Sequence, residues 1–231
     1  METIRQNLDA TMKSIEDAKA LSTYGQSVKL IAVSKTKPLE LLQEAYDQGV
    51  RAFGENKVQE MMDKSQVLPK DIEWHMIGHL QRNKVKYIVS FVSLIHSVDS
   101  QRLADEIERQ AQKIQREIPI LIEVNMGREE SKFGFLEEEV LPFLKPVETY
   151  QFVKIMGLMT SAPYVEDSEQ NSKIFHKMKQ LSVDIEAENI DNVSMEWLSM
   201  GMSNDYQVAI REGSNMVRIG TGIFGMRNYL I

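Results

Sequence analysis

No cysteine occurs among the 231 residues, and that absence removes disulfide frameworks, thiolate nucleophiles and cysteine-rich zinc sites together. Long apolar runs are missing as well: none approaches the roughly 20 residues that a membrane-crossing helix requires. Residues 1–20 carry Arg5, Lys13, Glu16 and Asp17 among their apolar neighbours, so they lack the unbroken apolar segment of a secretory leader. A cytoplasmic protein with no membrane contact is expected. Positive charge is in deficit, with 27 Lys and Arg against 34 Asp and Glu and a formal net charge of −7. Nothing in that balance draws nucleic acid, although a local basic pocket can still hold a phosphate. The expected partner is a small molecule, and the expected state is a monomer.

What remains is an ordinary globular composition, 42% apolar and 26% charged. The length suits one domain spanning 1–231, because α/β barrels commonly run to about 250 residues. Eight short β-branched or apolar runs punctuate the chain, at 28–35, 51–56, 73–78, 94–98, 120–125, 154–160, 195–200 and 216–220. Charged amphipathic stretches alternate with them, at 39–48, 57–64, 82–91, 100–116, 136–144, 169–189 and 205–212, the pattern of βα units around a parallel sheet. Residues 1–21 add a helix ahead of the first strand, with Ile4, Leu8, Met12 and Ile15 at helical spacing. The linker 161–168, with Pro163 and acidic residues, reads as a loop and not a domain boundary. The expected fold is α/β: a single (β/α)8 TIM barrel with an extra N-terminal helix.

In such a barrel the chemistry sits where strands end and helices begin. The first strand, Leu30-Ile31-Ala32-Val33, ends in Ser34-Lys35-Thr36-Lys37-Pro38 and so places an amine at the mouth. Burial there disfavours the ammonium and leaves a nucleophile toward an aldehyde; a solvated loop lysine is the alternative. Arg218 interrupts the apolar Met216-Val217-Ile219, and a charge inside a strand needs a partner. That partner is either Glu55 or Glu123 in a structural ion pair, or a polar ligand atom at the mouth. Gly220, Thr221 and Gly222 follow, where backbone N–H groups can approach a phosphate, and this fold binds phosphate after strands seven and eight. Ser203 and Asn204 sit where they would either cap the next helix or meet the same phosphate. Asn56 offers an amide beside a ring or, alternatively, another helix cap. His75 and His79 lack an H-E-x-x-H arrangement and a third ligand, so no metal is expected.

The segments Ala32-Val33-Ser34-Lys35-Thr36-Lys37-Pro38, Phe53-Gly54-Glu55-Asn56, Trp74-His75-Met76-Ile77-Gly78, Leu198-Ser199-Met200-Gly201-Met202-Ser203 and Val217-Arg218-Ile219-Gly220-Thr221, with Ile223-Phe224-Gly225, match one pattern. Together they resemble the pyridoxal phosphate homeostasis protein family over nearly the whole chain. The resemblance implies the barrel of the alanine racemase N-terminal domain, with pyridoxal 5'-phosphate held as a Schiff base on Lys35. It also implies ring contact from Asn56, Arg218 facing the pyridine nitrogen, and phosphate held by Ser203, Gly220 and Thr221. The Ser131-Lys132-Phe133-Gly134 loop is similar too, making Lys132 either a second amine that receives the cofactor during transfer or an exposed loop lysine. His79 stands where some relatives have proline.

A pyridoxal phosphate enzyme uses the protonated pyridine as an electron sink, tuned by the groups around its nitrogen. An arginine there, with a pKa above about 12, remains a donor and does not supply that proton. By the same resemblance, alanine racemase pairs its lysine with a tyrosine from a second domain of the facing subunit. This chain reaches Ile231 without such a domain, and Tyr206 is a candidate substitute. The expectation is a role other than enzymatic turnover: intracellular cofactor homeostasis, in which a reactive aldehyde is bound reversibly and passed to apo-enzymes. The alternatives are a slow cofactor-dependent amino-acid racemase and a cofactor-free Schiff-base aldolase, separated by the visible absorption that bound cofactor supplies.

Overall fold

The computed structural model describes residues 3–225. Eight parallel strands close into a barrel in chain order: β1 Lys29–Val33, β2 Ala52–Glu55, β3 Glu73–Met76, β4 Val92–Val98, β5 Ile118–Glu123, β6 Val153–Met159, β7 Val193–Met202 and β8 Met216–Ile219. Closure comes from β8 against β1, with Ile31 opposite Arg218 and Ala32 opposite Ile219. Around it lie α1 Ile4–Ala20, α2 Leu39–Asp47, α3 Val58–Val67, α4 Gln101–Ile114, α5 Glu137–Val147, α6 Ser172–Ala187, α7 Tyr206–Arg211 and α8 Thr221–Phe224. Among the described residues no helix is long and apolar enough to cross a membrane.

Side chains alternate across each strand, and the alternation sorts the apolar residues into two cores. Ile31, Ala52, Leu94, Leu121, Met159 and Met216 pack together inside the barrel. Their neighbours Ala32, Phe53, Ile95, Ile120, Ile122, Leu158 and Val217 belong to the larger core beneath the helices. Burial on both faces explains why these strands read as continuous apolar runs instead of alternating ones.

The N-terminal helix forms as expected. Thr3 and Gln6 make a reciprocal capping box at its start, and Ile4, Leu8 and Ile15 are buried, while Met12 stays exposed. It lies against α7 and α8: Tyr206 donates its hydroxyl to Ser14 Oγ at 2.8 Å, and Asn7 Nδ2 donates to the Ile223 carbonyl at 2.9 Å.

Three elements depart from the sequence pattern. The helix expected over 82–91 is a 3-10 helix, Arg82–Tyr87, because residues three apart eclipse in that geometry and bring Val85 and Ile88 inward together. Helix α5 continues through Pro142 and Pro146 to Val147, where burial of Phe143, Leu144 and Val147 outweighs the two absent N–H groups. A one-turn helix, α8, follows the last strand, where none was expected; the short extra helix after strand eight is a recurrent phosphate-site element of this fold.

At the irregularity where β6 meets β7, Gly157 adopts φ +145, and an added Cβ would fall 1.8 Å from the Trp197 carbonyl oxygen. Gly157→Ala is therefore expected to lower stability by roughly 2–4 kcal/mol. The measurement is urea unfolding: a lower midpoint at unchanged slope is expected, and a midpoint equal to the parent's would show that barrel closure does not need glycine there.

Candidate functional site

Val33 of β1 pairs with Gly54 of β2, and the Ser34 N–H donates to the Gly54 carbonyl at 3.0 Å. Lys35 and Asn56 each lie two residues beyond that pair, the interval that separates positions on one face of a strand. Counting back by twos reaches Ile31 and Ala52, which point into the barrel, and Arg218 stands two beyond the inward Met216. On the other flank of β1, Gly220 packs so closely that a Cβ would lie 3.2 Å from the Val33 carbonyl oxygen. Ser203 Oγ accepts the Gly220 N–H at 3.2 Å, joining the end of β7 to the end of β8. Lys35, Asn56, Ser203, Arg218, Gly220 and Thr221 thus all lie at the C-terminal rim.

Arg218 is 4% exposed. Its Nη1 donates to the Ser199 carbonyl at 2.8 Å and to Ser199 Oγ at 2.6 Å, and its Nη2 donates to the Thr160 carbonyl at 2.8 Å and to Ser161 Oγ at 3.3 Å. Four of the five guanidinium N–H groups are engaged by neutral oxygens, which leaves Nε–H without an acceptor among the described residues. The ion pair with Glu55 or Glu123, weighed from sequence, does not form: Glu55 pairs with Lys64, and Glu123 acts on Arg218 only through space. Burial lowers the arginine to about 10, with Glu123 and Asp205 opposing, so it stays charged at neutral pH.

Behind Arg218 runs a buried polar chain that the sequence reading missed. Ser199 Oγ lies 3.0 Å from His96 Nδ1, and His96 Nε2 lies 2.9 Å from His75 Nδ1. A guanidinium only donates, so Ser199 Oγ accepts from it, and its proton and second lone pair can serve either tautomer of His96. The His96 tautomer sets which ring donates to the other, and His75 Nε2 faces Glu73 at 3.7 Å. Burial pushes both imidazoles down, His96 well below its usual range, so both stay neutral.

The capping alternatives are resolved by geometry. Ser203 does not cap α7; the residue before that helix is Asp205, whose carboxylate accepts the Met202 N–H at 2.7 Å. Asn204 instead donates to the Val165 carbonyl. Asn56 caps nothing: the residue before α3 is Lys57, and Asn56 Oδ1 is buried without a hydrogen-bond partner among the described residues. Because the Gly220 N–H is engaged by Ser203, it positions that hydroxyl, while the N–H groups of Thr221 and Gly222 meet no acceptor among the described residues.

Lys35 is half-buried in a turn whose Lys37 N–H donates to the Ser34 carbonyl at 3.0 Å, with Thr36 at φ +63. Lys37 Nζ donates to the Phe224 and Gly225 carbonyls at 3.1 and 2.9 Å, tying this turn to the end of α8. Beside Arg218, Lys132 pairs with Glu129 and donates to the Ser161 carbonyl at 3.1 Å. Glu123 is pushed up to about 7, chiefly by burial and then by Asp99. His79 bonds Asp99 at 2.9 Å and stacks on Phe133 at 3.7 Å. Among the described residues no three metal-ligating side chains gather.

The family model of the alanine racemase N-terminal domain matches residues 4–228. A pyridoxal phosphate homeostasis protein of Aquifex aeolicus is 42% identical, covering 97% of this chain and 98% of that one. Another, of Haemophilus influenzae, is 37% identical, covering 98% and 97%. Among solved structures, PipY of Synechococcus elongatus with PLP bound superposes with a TM-score of 0.83 at 33% identity, covering 96% of this chain and 100% of that one. Alanine racemase of Clostridium difficile, at 16% identity and a TM-score of 0.74, shares the fold over 58% of its length. The chain belongs to the pyridoxal phosphate homeostasis protein family, built on the alanine racemase N-terminal domain.

Proposed function

We propose that this protein binds pyridoxal 5'-phosphate covalently through Lys35 and serves cofactor homeostasis by holding and releasing it, without sustained catalytic turnover. The observation that carries the reading is the set of unsatisfied groups on one rim. Arg218 retains Nε–H, Asn56 Oδ1 is orphaned and buried, and the Ser203 hydroxyl stands beside the Thr221 and Gly222 N–H groups. A phosphorylated, nitrogen-containing ring fits that donor and acceptor set, and PipY, a relative of this chain, has been solved with PLP bound.

In this reading the cofactor supplies an aldehyde, which condenses with the Lys35 amine as water leaves and is released by the reverse step or by exchange with another amine. Arg218 Nε–H donates to the ring nitrogen, and the fixed bonds on its other four N–H groups hold it in that orientation. Asn56 meets the ring edge. Ser203, held by Gly220, and the N–H groups of Thr221 and Gly222 take the phosphate. Arg218 keeps its own proton at neutral pH, so it orients the ring without charging it. The racemase reading needs a second base opposite the lysine, and Tyr206 directs its hydroxyl to Ser14 on α1.

Borohydride reduction of the loaded protein followed by peptide mapping is expected to place the pyridoxyl group on Lys35; recovery on Lys132 instead would reassign the site. Ser203→Ala is expected to weaken pyridoxal 5'-phosphate about ten- to hundredfold, the effect of one hydrogen bond to a charged group. Pyridoxal without the phosphate should bind both proteins alike, and an equal loss for the two ligands would contradict the phosphate assignment. With common amino acids, racemisation and keto-acid formation followed over hours should match a Lys35→Ala blank, while an apo-enzyme mixed with the loaded protein regains activity. Steady turnover that depends on Lys35 would favour the racemase.

A further inference from the structure

Lys64 is a lysine 5% exposed. Its Nζ donates to Glu55 Oε1 at 2.8 Å, to Glu60 Oε1 at 2.6 Å and to the Ser34 carbonyl at 2.8 Å. Ser34 Oγ donates to the same Glu55 oxygen at 2.6 Å, and the Thr36 N–H donates to the same Glu60 oxygen at 2.6 Å. The two residues that flank Lys35 in sequence are therefore bound to two carboxylates, and one ammonium joins those carboxylates. Thr36, β-branched, is held at φ +63, a conformation that L residues with branched side chains rarely adopt and that persists only when surrounding contacts impose it.

We infer that Lys64 is a positioning residue for Lys35: shared between Glu55 and Glu60, it holds the turn of residues 34–37 in the conformation that presents the Lys35 amine to an aldehyde. The inference rests on the reading that Lys35 carries the cofactor. Lys64 bonds the turn and none of Ser203, Arg218, Gly220 and Thr221, so its removal leaves the phosphate and ring-nitrogen groups of β7 and β8 in place. Without it the Glu55 and Glu60 carboxylates face each other uncompensated, the bond to the Ser34 carbonyl is lost, and the acceptor for Thr36 shifts. Glu60 acts at the other end of the same clamp, and its side chain is 21% exposed, so Glu60→Ala removes the Thr36 acceptor while keeping the Lys64 to Glu55 pair.

The full-length protein is titrated with two probes. One is pyridoxal 5'-phosphate; the other is 4'-deoxypyridoxine 5'-phosphate, which keeps the ring and phosphate but has no aldehyde. Lys64→Met is expected to weaken the first about a hundredfold and Glu60→Ala about tenfold, in line with the loss of one or more charge-assisted bonds. Both variants should bind the second within about twofold of the parent, with the visible band of the covalent link forming more slowly in each. Should Lys64→Met fail to fold, Glu60→Ala decides the matter alone. Equal weakening of both probes, or unchanged binding of the aldehyde, overturns the positioning role. Failure of the parent itself to form a reducible link on Lys35 overturns the underlying reading, and shows in the parent before any variant is made.

Discussion

A guanidinium inside a parallel barrel must be solvated by the protein, because a bare buried charge is far costlier than the stability of the whole fold. At Arg218 that solvation comes from dipoles: two backbone carbonyls and two serine hydroxyls, from Ser199 and from the Thr160-Ser161 pair. Most of the interior polarity follows from that arrangement. Ser199 has to accept, His96 bonds the serine hydroxyl, and His75 takes the next position, all at sites that apolar residues would otherwise fill. Neutral imidazoles are the form that burial favours, so the chain adds no second charge to the interior.

The opposite flank of the mouth is held by different physics. There the chain leaves β1 after the Ser34 to Gly54 bond, and the turn beyond it is held by Lys37 on the end of α8 and by an ionic clamp of Lys64 with Glu55 and Glu60. Glu55 lies one residue from the inward Gly54 and so faces the helices, where its pair with Lys64 of α3 stays outside the barrel lumen. Burial raises the Glu55 carboxyl while Lys64 opposes that rise. The lysine thus favours the charged form of the carboxyl against the burial that disfavours it.

The sequence displays groups that violate their local pattern. Lys35 and Arg218 end or interrupt apolar strands, and Asn56, Ser203 and the glycines of the eighth tip sit where a barrel puts chemistry, so all are readable from the strand rhythm. Lys64 violates nothing: four residues after Glu60 on a charged helix, it looks like a solvated surface pair, and only burial against Ser34 and Glu55 distinguishes it. His96 and Ser199 are 103 residues apart, on β4 and β7, and strand order alone does not bring those two together across the barrel lumen. The cap alternatives at Ser203 and Asn56 stayed open for a related reason, since a small polar residue before a helix is a cap by statistics and only the surrounding bonds show that it is not.

The direction of the interior chain bears on what such a site can do. Arg218 can only donate to this chain, whichever tautomers His96 and His75 hold behind Ser199. Moving a proton toward the mouth would require Arg218 to give up a proton it holds up to about pH 10. On the proposed reading, a ring nitrogen seated against Nε–H draws no proton from Arg218, and the electron sink on which amino-acid chemistry depends stays weak. Condensation of an aldehyde with an amine needs no such sink. The constraint that solvates Arg218 thus favours a site that binds and releases the cofactor over one that exploits it.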